Sequence, residues 1–431
     1  MANMCFKTCL RIVSLLITGC ILFSSVVTAQ TYRTLNIEEC YTLARQNYPL
    51  IKQANLIKKT KDLTIENIAK GYLPQVNFNG QATYQSDVTS IPINIPNISL
   101  PTISKDQYKI YGEADQVVYD GGNIKYQKQA QEANEIVQQQ NLEVNLYALK
   151  DRINQLFFGI LLVDEQLKQN DLQKKDIQNG IDKTQASIDN GTAFRSSLDE
   201  LKAELLKTEE SRTELKSSRK AYLDMLSLFI HLPLDENTVL TTPQSNPLAD
   251  TINRPEITLY DYQKKNYDVQ DKMLHANTLP RVNLFLQGGY GKPGVVNMFK
   301  TDFEPYYIGG IRFNWLLGNF YTLKNDKRLL NINRSDIDVQ KETFLFNTSL
   351  TLHQQSADVA KYIELIKQDQ QIILLRNSVK NASAAQLENG VITAHDYITQ
   401  VNAEDQSRQS LILHRVQLLL AQYNYQTTSG N

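Results

Sequence analysis

The sequence predicts a mostly α-helical chain with a membrane β-barrel part, built from two copies of one unit: helix, strand, loop, strand, long helical hairpin. Three observations carry this. Heptad seams run far longer than a globular helix needs, the period drops to two in four short stretches, and the whole order recurs about 199 positions later, from Gly191 to Gly390.

The chain opens with Lys7 and Arg11 flanking an apolar stretch from Ile12 to Val27, which ends in Val27-Thr28-Ala29. That is the pattern of a secretory signal peptide over residues 1–29. Ile17-Thr18-Gly19-Cys20 also suits a bacterial lipoprotein box with Cys20 lipidated, although Ile21, Leu22 and Phe23 directly after it are unusual for that processing. A retained anchor is a third reading, against which the short apolar core argues. Of the 4 cysteines, Cys5, Cys9 and Cys20 lie in this leader, so Cys40 stands alone and no internal disulfide is expected.

After the leader comes the first repeat with its connecting segment, residues 30–253, and then the second, residues 254–431. Residues 36–70 read as helix, with apolar positions such as Ile37, Cys40, Leu43 and Ile57 on one side and a bend at Pro49. From Gln75 to Gln85 every even position is apolar or small and every odd one polar, which is a half-buried strand (about 75–86). Prolines 92, 96 and 101 mark a loop. A second strand (about 108–119) sets Ile110, Gly112, Ala114 and Val118 against Lys109, Glu113 and Asp115.

The long helical run follows Gly122. Leu142, Leu146, Leu149, Ile153, Leu156, Ile160, Val163 and Leu167 alternate steps of four and three, and a return seam from Leu198 to Phe229 follows the Asn190-Gly191 turn. This gives a hairpin over about 122–230. Residues 231–253, with three prolines, read as an irregular connection.

In the second unit a helix from Pro255 leads to Leu279-Pro280-Arg281-Val282-Asn283-Leu284, an echo of Leu73-Pro74-Gln75-Val76-Asn77-Phe78. Strands at about 281–291 and 306–317 follow; the latter sets Tyr307, Gly309, Ile311 and Phe313 against Gly310, Arg312 and Asn314. A hairpin over about 319–425 then turns at Asn389-Gly390, its seven-residue ladder from Leu345 to Leu387 broken only at Lys380.

Strands of this length with one apolar face match the span of an outer-membrane barrel, and no apolar run after residue 30 is long enough for a spanning helix. Four strands cannot close a barrel, since the smallest need about eight, so strands must be pooled among chains. Three chains would give about twelve strands and an aqueous lumen. The same alternation also suits a soluble sheet covered on one face, and the heptads alone suit a periplasmic coiled-coil scaffold. A formal net charge of −1 gives no electrostatic argument for a nucleic-acid partner.

At this point the chain resembles the TolC-like outer-membrane efflux proteins over essentially its whole mature length. The resemblance rests on Leu-Pro-x-Val at 73–76 and 279–282 and on the Gln116-Val117-Val118-Tyr119-Asp120-Gly121-Gly122 junction. It rests also on the Asn-Gly turns followed by Leu198-Asp199-Glu200-Leu201-Lys202-Ala203-Glu204 and by Val401-Asn402-Ala403-Glu404.

The resemblance implies a homotrimeric channel-tunnel: a twelve-stranded barrel in the outer membrane continuous with an α-helical barrel in the periplasm, docking a periplasmic adaptor and an inner-membrane transporter for efflux or type I secretion. It places the periplasmic tip at Asn190, Gly191, Thr192 and Ala193 and at Asn389, Gly390, Val391, Ile392 and Thr393. It makes Asp396 a pore-constriction residue, an assignment that stands beside a plain surface reading of that acid. Thr399 stands where a second aspartate of that ring is found in some relatives. Leu387 and Ile392 occupy the places of a gate-locking tyrosine and arginine, and Ser197 that of their aspartate partner.

Chemistry is sparse. The 5 histidines have no metal-ligand spacing, and Gly288-Gly289-Tyr290-Gly291 lacks the lysine of a phosphate loop, so neither enzyme activity nor a cofactor is expected.

Overall fold

The structure is a computed structural model that describes residues 34–89, 103–244, 248–249 and 251–431. The leader, the lipoprotein-box motif and the prolines at 92, 96 and 101 lie outside the described residues. Strand β1 (Thr34–Leu35) leads to α1 (Ile37–Asn47), whose first turn is capped by Asn36 accepting from the Glu39 N–H at 2.7 Å. Tyr48 turns extended before Pro49, because a residue preceding proline is pushed out of the helical region, and α2 (Lys52–Ala69) follows one 3₁₀ turn later.

Strands β2 (Gln75–Tyr84) and β3 (Asp106–Tyr119) come next, then α3 (Asn123–Tyr147), α4 (Leu149–Asp189) and α5 (Arg195–Ile230). The interruption at Ala148 is slight: its backbone stays helical and its N–H still reaches Val144 O at 3.3 Å. Strand β4 (Val239–Leu240) closes the first unit. The second unit comprises α6 (Pro255–Ala276), β5 (Arg281–Lys292), β6 (Glu304–Asn314), α7 (Asn319–Glu388) and α8 (Ala394–Ser429). At 70 residues α7 is about 105 Å long, more than a compact domain accommodates.

The connection after α5 is not wholly irregular: β4 pairs in parallel with β1, Thr34 opposite Val239. Two-residue strands carry no periodic signal, so this pair was invisible in the pattern. Strand β6 also ends sooner than the alternation suggests, because Trp315 leaves the ladder and donates its Nε1–H to Thr278 O at 2.9 Å.

Strands β2, β3, β5 and β6 form one antiparallel sheet in that order, which places the two repeats side by side. A single bulge near Val118 shifts the β3–β5 register. Strands β3 and β6 feed the helices α3 and α7, and the first of these junctions is closely built. Asp120 accepts from the N–H groups of Gly122 and Ile124 at 2.8 and 2.7 Å, capping α3. Gly121, at φ +70°, lies so close to Leu279 and Ala276 that a Cβ would stand 2.8 Å from Leu279 Cβ.

Two buried clusters hold the helices. The larger lies where α1 packs against α4 and α5, with Phe157, Phe158, Ile160, Leu226 and Tyr423 among its members. The smaller lies at the hairpin turns. On α5 the buried seam contains Leu223, Leu226 and Ile230, so it slips by one residue from Tyr222 and Phe229, which are only half-buried. Among the described residues no helix is long and apolar enough to cross a membrane.

Candidate functional site

Two features concentrate functional chemistry: the paired hairpin turns at one end of the helices and the two-faced sheet at the other. Both turns are built alike. α4 ends on Asn190 and α7 on Asn389, each followed by a left-handed glycine, Gly191 at φ +73° and Gly390 at φ +66°. Gly191 N–H donates to Ile188 O and Thr192 N–H to Ser187 O, both at 2.8 Å. Gly390 and Val391 repeat this onto Leu387 and Gln386. This is the Schellman ending, which needs a positive φ and therefore selects glycine.

The restarts differ. Thr393 caps α8 through a reciprocal box: Asp396 N–H donates to Thr393 Oγ1 at 3.2 Å, while Asp396 Oδ2 accepts from Thr393 N–H at 3.0 Å and from its hydroxyl at 2.7 Å. Hydrogen bonds from the Thr393 side chain and backbone hold the Asp396 carboxyl below its usual range. In the first hairpin Phe194 occupies the cap without a side-chain bond, and Ser197 stands at the matching third position.

The two turns are neighbours. Ile177 and Ile181 of α4, Leu198 and Leu201 of α5, Leu387 of α7 and Tyr397, Ile398 and Val401 of α8 share one buried cluster, with Ile392 packed on its margin. Leu387 and Ile392 are therefore apolar members of the hairpin pairing. Val391 and Phe194 project outward, 70% and 81% exposed. Polar ties run alongside: Lys183 to Glu388 at 2.7 Å, His395 to Glu200 at 2.7 Å, and Tyr397 Oη donating to Asp176 O at 3.0 Å. The turn residues were legible; the ties between hairpins were not, because their partners lie some two hundred positions apart.

The sheet has two unlike faces. Register aligns Val76, Ala114, Leu286 and Gly309 in one row, and Phe78, Gly112, Gly288 and Tyr307 in the next, so one face is mostly apolar or small, with Gln116 opposite Leu284 and Asp106 and Lys292 near the strand ends as the exceptions. Nothing among the described residues covers it: Phe78 is 85% exposed and Ile311 70%. The other face carries Asn77, Asn79, Gln81, Gln287, Lys109, Glu113, Asp115 and Arg312. There Arg312 Nη2 donates to Glu113 Oε1 and Nη1 to Asp115 Oδ1, each at 2.8 Å. The sequence put these three residues on one face but gave no sign that they meet. The outer edges of β2 and β6 have no partner strand among the described residues.

Among the described residues no three His, Cys, Asp or Glu side chains are grouped to hold a metal. Cys40 is buried, and burial, with Glu39 nearby, pushes its thiol up to about 12.

No protein-family model matches the sequence, and no curated protein matches it. Solved structures do. CusC, studied for folding and transmembrane channel formation, matches at 14% identity with a TM-score of 0.65 over 91% of each chain. The Campylobacter jejuni CmeC outer membrane channel matches at 12% identity and a TM-score of 0.61, over 91% of this chain and 85% of that one. The outer membrane protein VceC of Vibrio cholerae matches at 12% identity and 0.61, over 91% and 96%. At such identities the likeness is one of fold, and it spans both repeats from sheet to hairpin turns. The chain has the fold of the TolC-like outer-membrane channels.

Proposed function

We propose that this protein is the outer-membrane channel component of a tripartite efflux or type I secretion system, acting as a passive homotrimeric conduit. The observation that carries this reading is the open four-stranded sheet, mostly apolar on one face and richer in polar groups on the other, with its apolar face and both edges free among the described residues. Lipid against the apolar face and a neighbouring chain on each edge satisfy all three demands at once, because a bilayer tolerates strands only in a closed barrel. Three such sheets make twelve strands, and the helices that leave them extend the lumen through the periplasm.

The hairpin turns then form the periplasmic end. Asn190 to Ala193 and Asn389 to Thr393 offer exposed backbone turns and the apolar side chains of Phe194 and Val391 to a periplasmic adaptor, which links the conduit to an inner-membrane transporter. Asp396, its carboxyl held below the usual range by Thr393, contributes one carboxylate per chain, three in a trimer, near that end. A periplasmic scaffold without a pore would leave the apolar sheet face in water, and no observation favours it.

The experiment is conductance. Protein purified in detergent and added to a planar lipid bilayer should give discrete ion-conducting steps. Soluble protein that never inserts, or insertion without conductance, would overturn the reading.

A further inference from the structure

We propose that the loop joining β5 to β6 is a strap folded over the lumen face of the sheet, so that its apolar side chains narrow the outward mouth and set the size of what passes there. The inference rests on the conduit reading above and adds a size limit at the end remote from the hairpin turns.

The sequence makes room for the strap. Gly291 pairs with Lys109 on one side and Glu304 on the other, so a side chain there would project from the polar face. A Cβ at Gly291 would stand 2.4 Å from Val295 Cγ2, closer than two carbons approach, so Val295 lies on that face and glycine leaves the space for it. Met298 lies on the same side. With Val295 it roofs a cleft of about 350 Å³ whose floor includes Gln81, Thr83 and Lys109 of the polar face.

The loop keeps this shape with its own bonds. Gly294 N–H donates to Lys300 O at 2.8 Å and Lys300 N–H to Asn297 O at 3.2 Å, while Asn297 Oδ1 accepts from Phe299 N–H at 3.2 Å. At its root Phe303 lies against Tyr108, 6.2 Å between ring centroids. Polar groups satisfied within the loop let it stand without a partner strand. Its charges are engaged as well: Lys300 Nζ pairs with Glu304 at 3.1 Å, and below the strap Lys109 Nζ lies over the Tyr111 ring, 4.4 Å from the centroid. What the strap leaves exposed is apolar, with Val296 69% and Met298 48% accessible.

The strap sits inside the mouth rather than above it. Gly291, against which Val295 packs, is level with Lys109 and hence with Gln81, about 10 Å inside the end of β2 at Tyr84. A twelve-stranded barrel has a radius of about 12 Å, and a segment packed on a sheet face stands up to about 10 Å from it, so three straps leave a narrow, apolar-rimmed opening. Bulky solutes outside are thereby held out of the lumen.

The test is cross-linking between copies in the detergent-purified complex. Equivalent positions on the wall of such a barrel are about 21 Å apart around a three-fold axis, and strap residues lie closer together. Met298→Cys and Val296→Cys should therefore be joined into covalent dimers by a bis-maleimide of about half that span, read on denaturing gels. Asn77→Cys, on the same face but away from the strap, should not. Cys40 is buried and leaves the background blank, and the exposure of Val296 makes its variant decisive if Met298→Cys fails to assemble. Intact complexes in which neither strap cysteine links more than Asn77→Cys overturn the strap while leaving the conduit standing. A wild-type protein that is a single chain by native mass spectrometry overturns the conduit itself.

Discussion

Lys380 of α7 reaches across the seam between the two hairpins and donates to Asp176 Oδ2 of α4 at 2.6 Å. Its place in the seven-residue ladder calls for an aliphatic residue; instead a lysine side chain only 12% exposed sits there, with Glu404 of α8, 3% exposed, 3.5 Å away. Arg408 binds the other oxygen of Glu404. Removing the lysine leaves the nearly buried Glu404 and the half-buried Asp176 short of a partner. Lys380→Met should therefore destabilise the protein by about 3 kcal/mol, and adding Glu404→Gln should recover part of the loss. Thermal unfolding followed by circular dichroism checks this, and a double variant no more stable than the single would contradict it.

Gly180 leaves room for a ring. A Cβ there would stand 2.7 Å from Tyr397 Cε1, and Tyr397 is 4% exposed. Gly180→Val should displace the tyrosine, break its bond to Asp176 O and destabilise the hairpin pairing by about 2 kcal/mol. Hydrogen exchange should quicken around residues 176–184 and 394–401 and stay unaltered in the sheet.

Two exposed groups give the turns opposite pH dependences. The hydrogen bond to Glu200 raises the His395 pKa, so its contribution is fully present below the unfolded value and disappears as pH rises through the folded one. Asp396 is lowered by Thr393, so its contribution is present above the unfolded value and disappears as pH falls through the folded one. Exchange at residues 390–400, corrected for intrinsic rates, should be slowest between those limits. Glu200→Gln should flatten only the alkaline limb.

Cys40, fully buried with its thiol held near 12, should resist maleimide until the protein unfolds. Peptide mapping after labelling in buffer and in urea reads this directly; prompt labelling of the native protein would show that the α1 packing is wrong.

Val391 sits on an open turn, so a change there leaves the hairpin core alone. Val391→Glu should weaken capture of the periplasmic adaptor by in-cell cross-linking while assembly is preserved. Gly390→Trp is a poorer probe: there is space for the ring, but the left-handed backbone at φ +66° is strained by any side chain.

Much of the fold was legible because its signals are local and periodic. Heptad spacing marked α4 and α7, strict alternation marked β2 and β5, and the two Asn-Gly pairs marked turns that need a positive φ. Relations between distant segments were not legible. The β1–β4 pair is too short to have a period, and the slip of the α5 seam to Leu223 and Ile230 depends on how α1 inserts between helices. Lys380 read as a flaw in a ladder because its answering charges, Asp176 and Glu404, lie on other helices. The Arg312 clamp likewise became visible only when register placed β3 and β6 on either side of β5.

The central claim is that one chain supplies a third of a barrel, so the pore exists only between chains. Native mass spectrometry of the detergent-purified protein tests it most directly. The account predicts a complex of three chains that stays intact when the detergent is stripped; a stable single chain of the same solubility would contradict it.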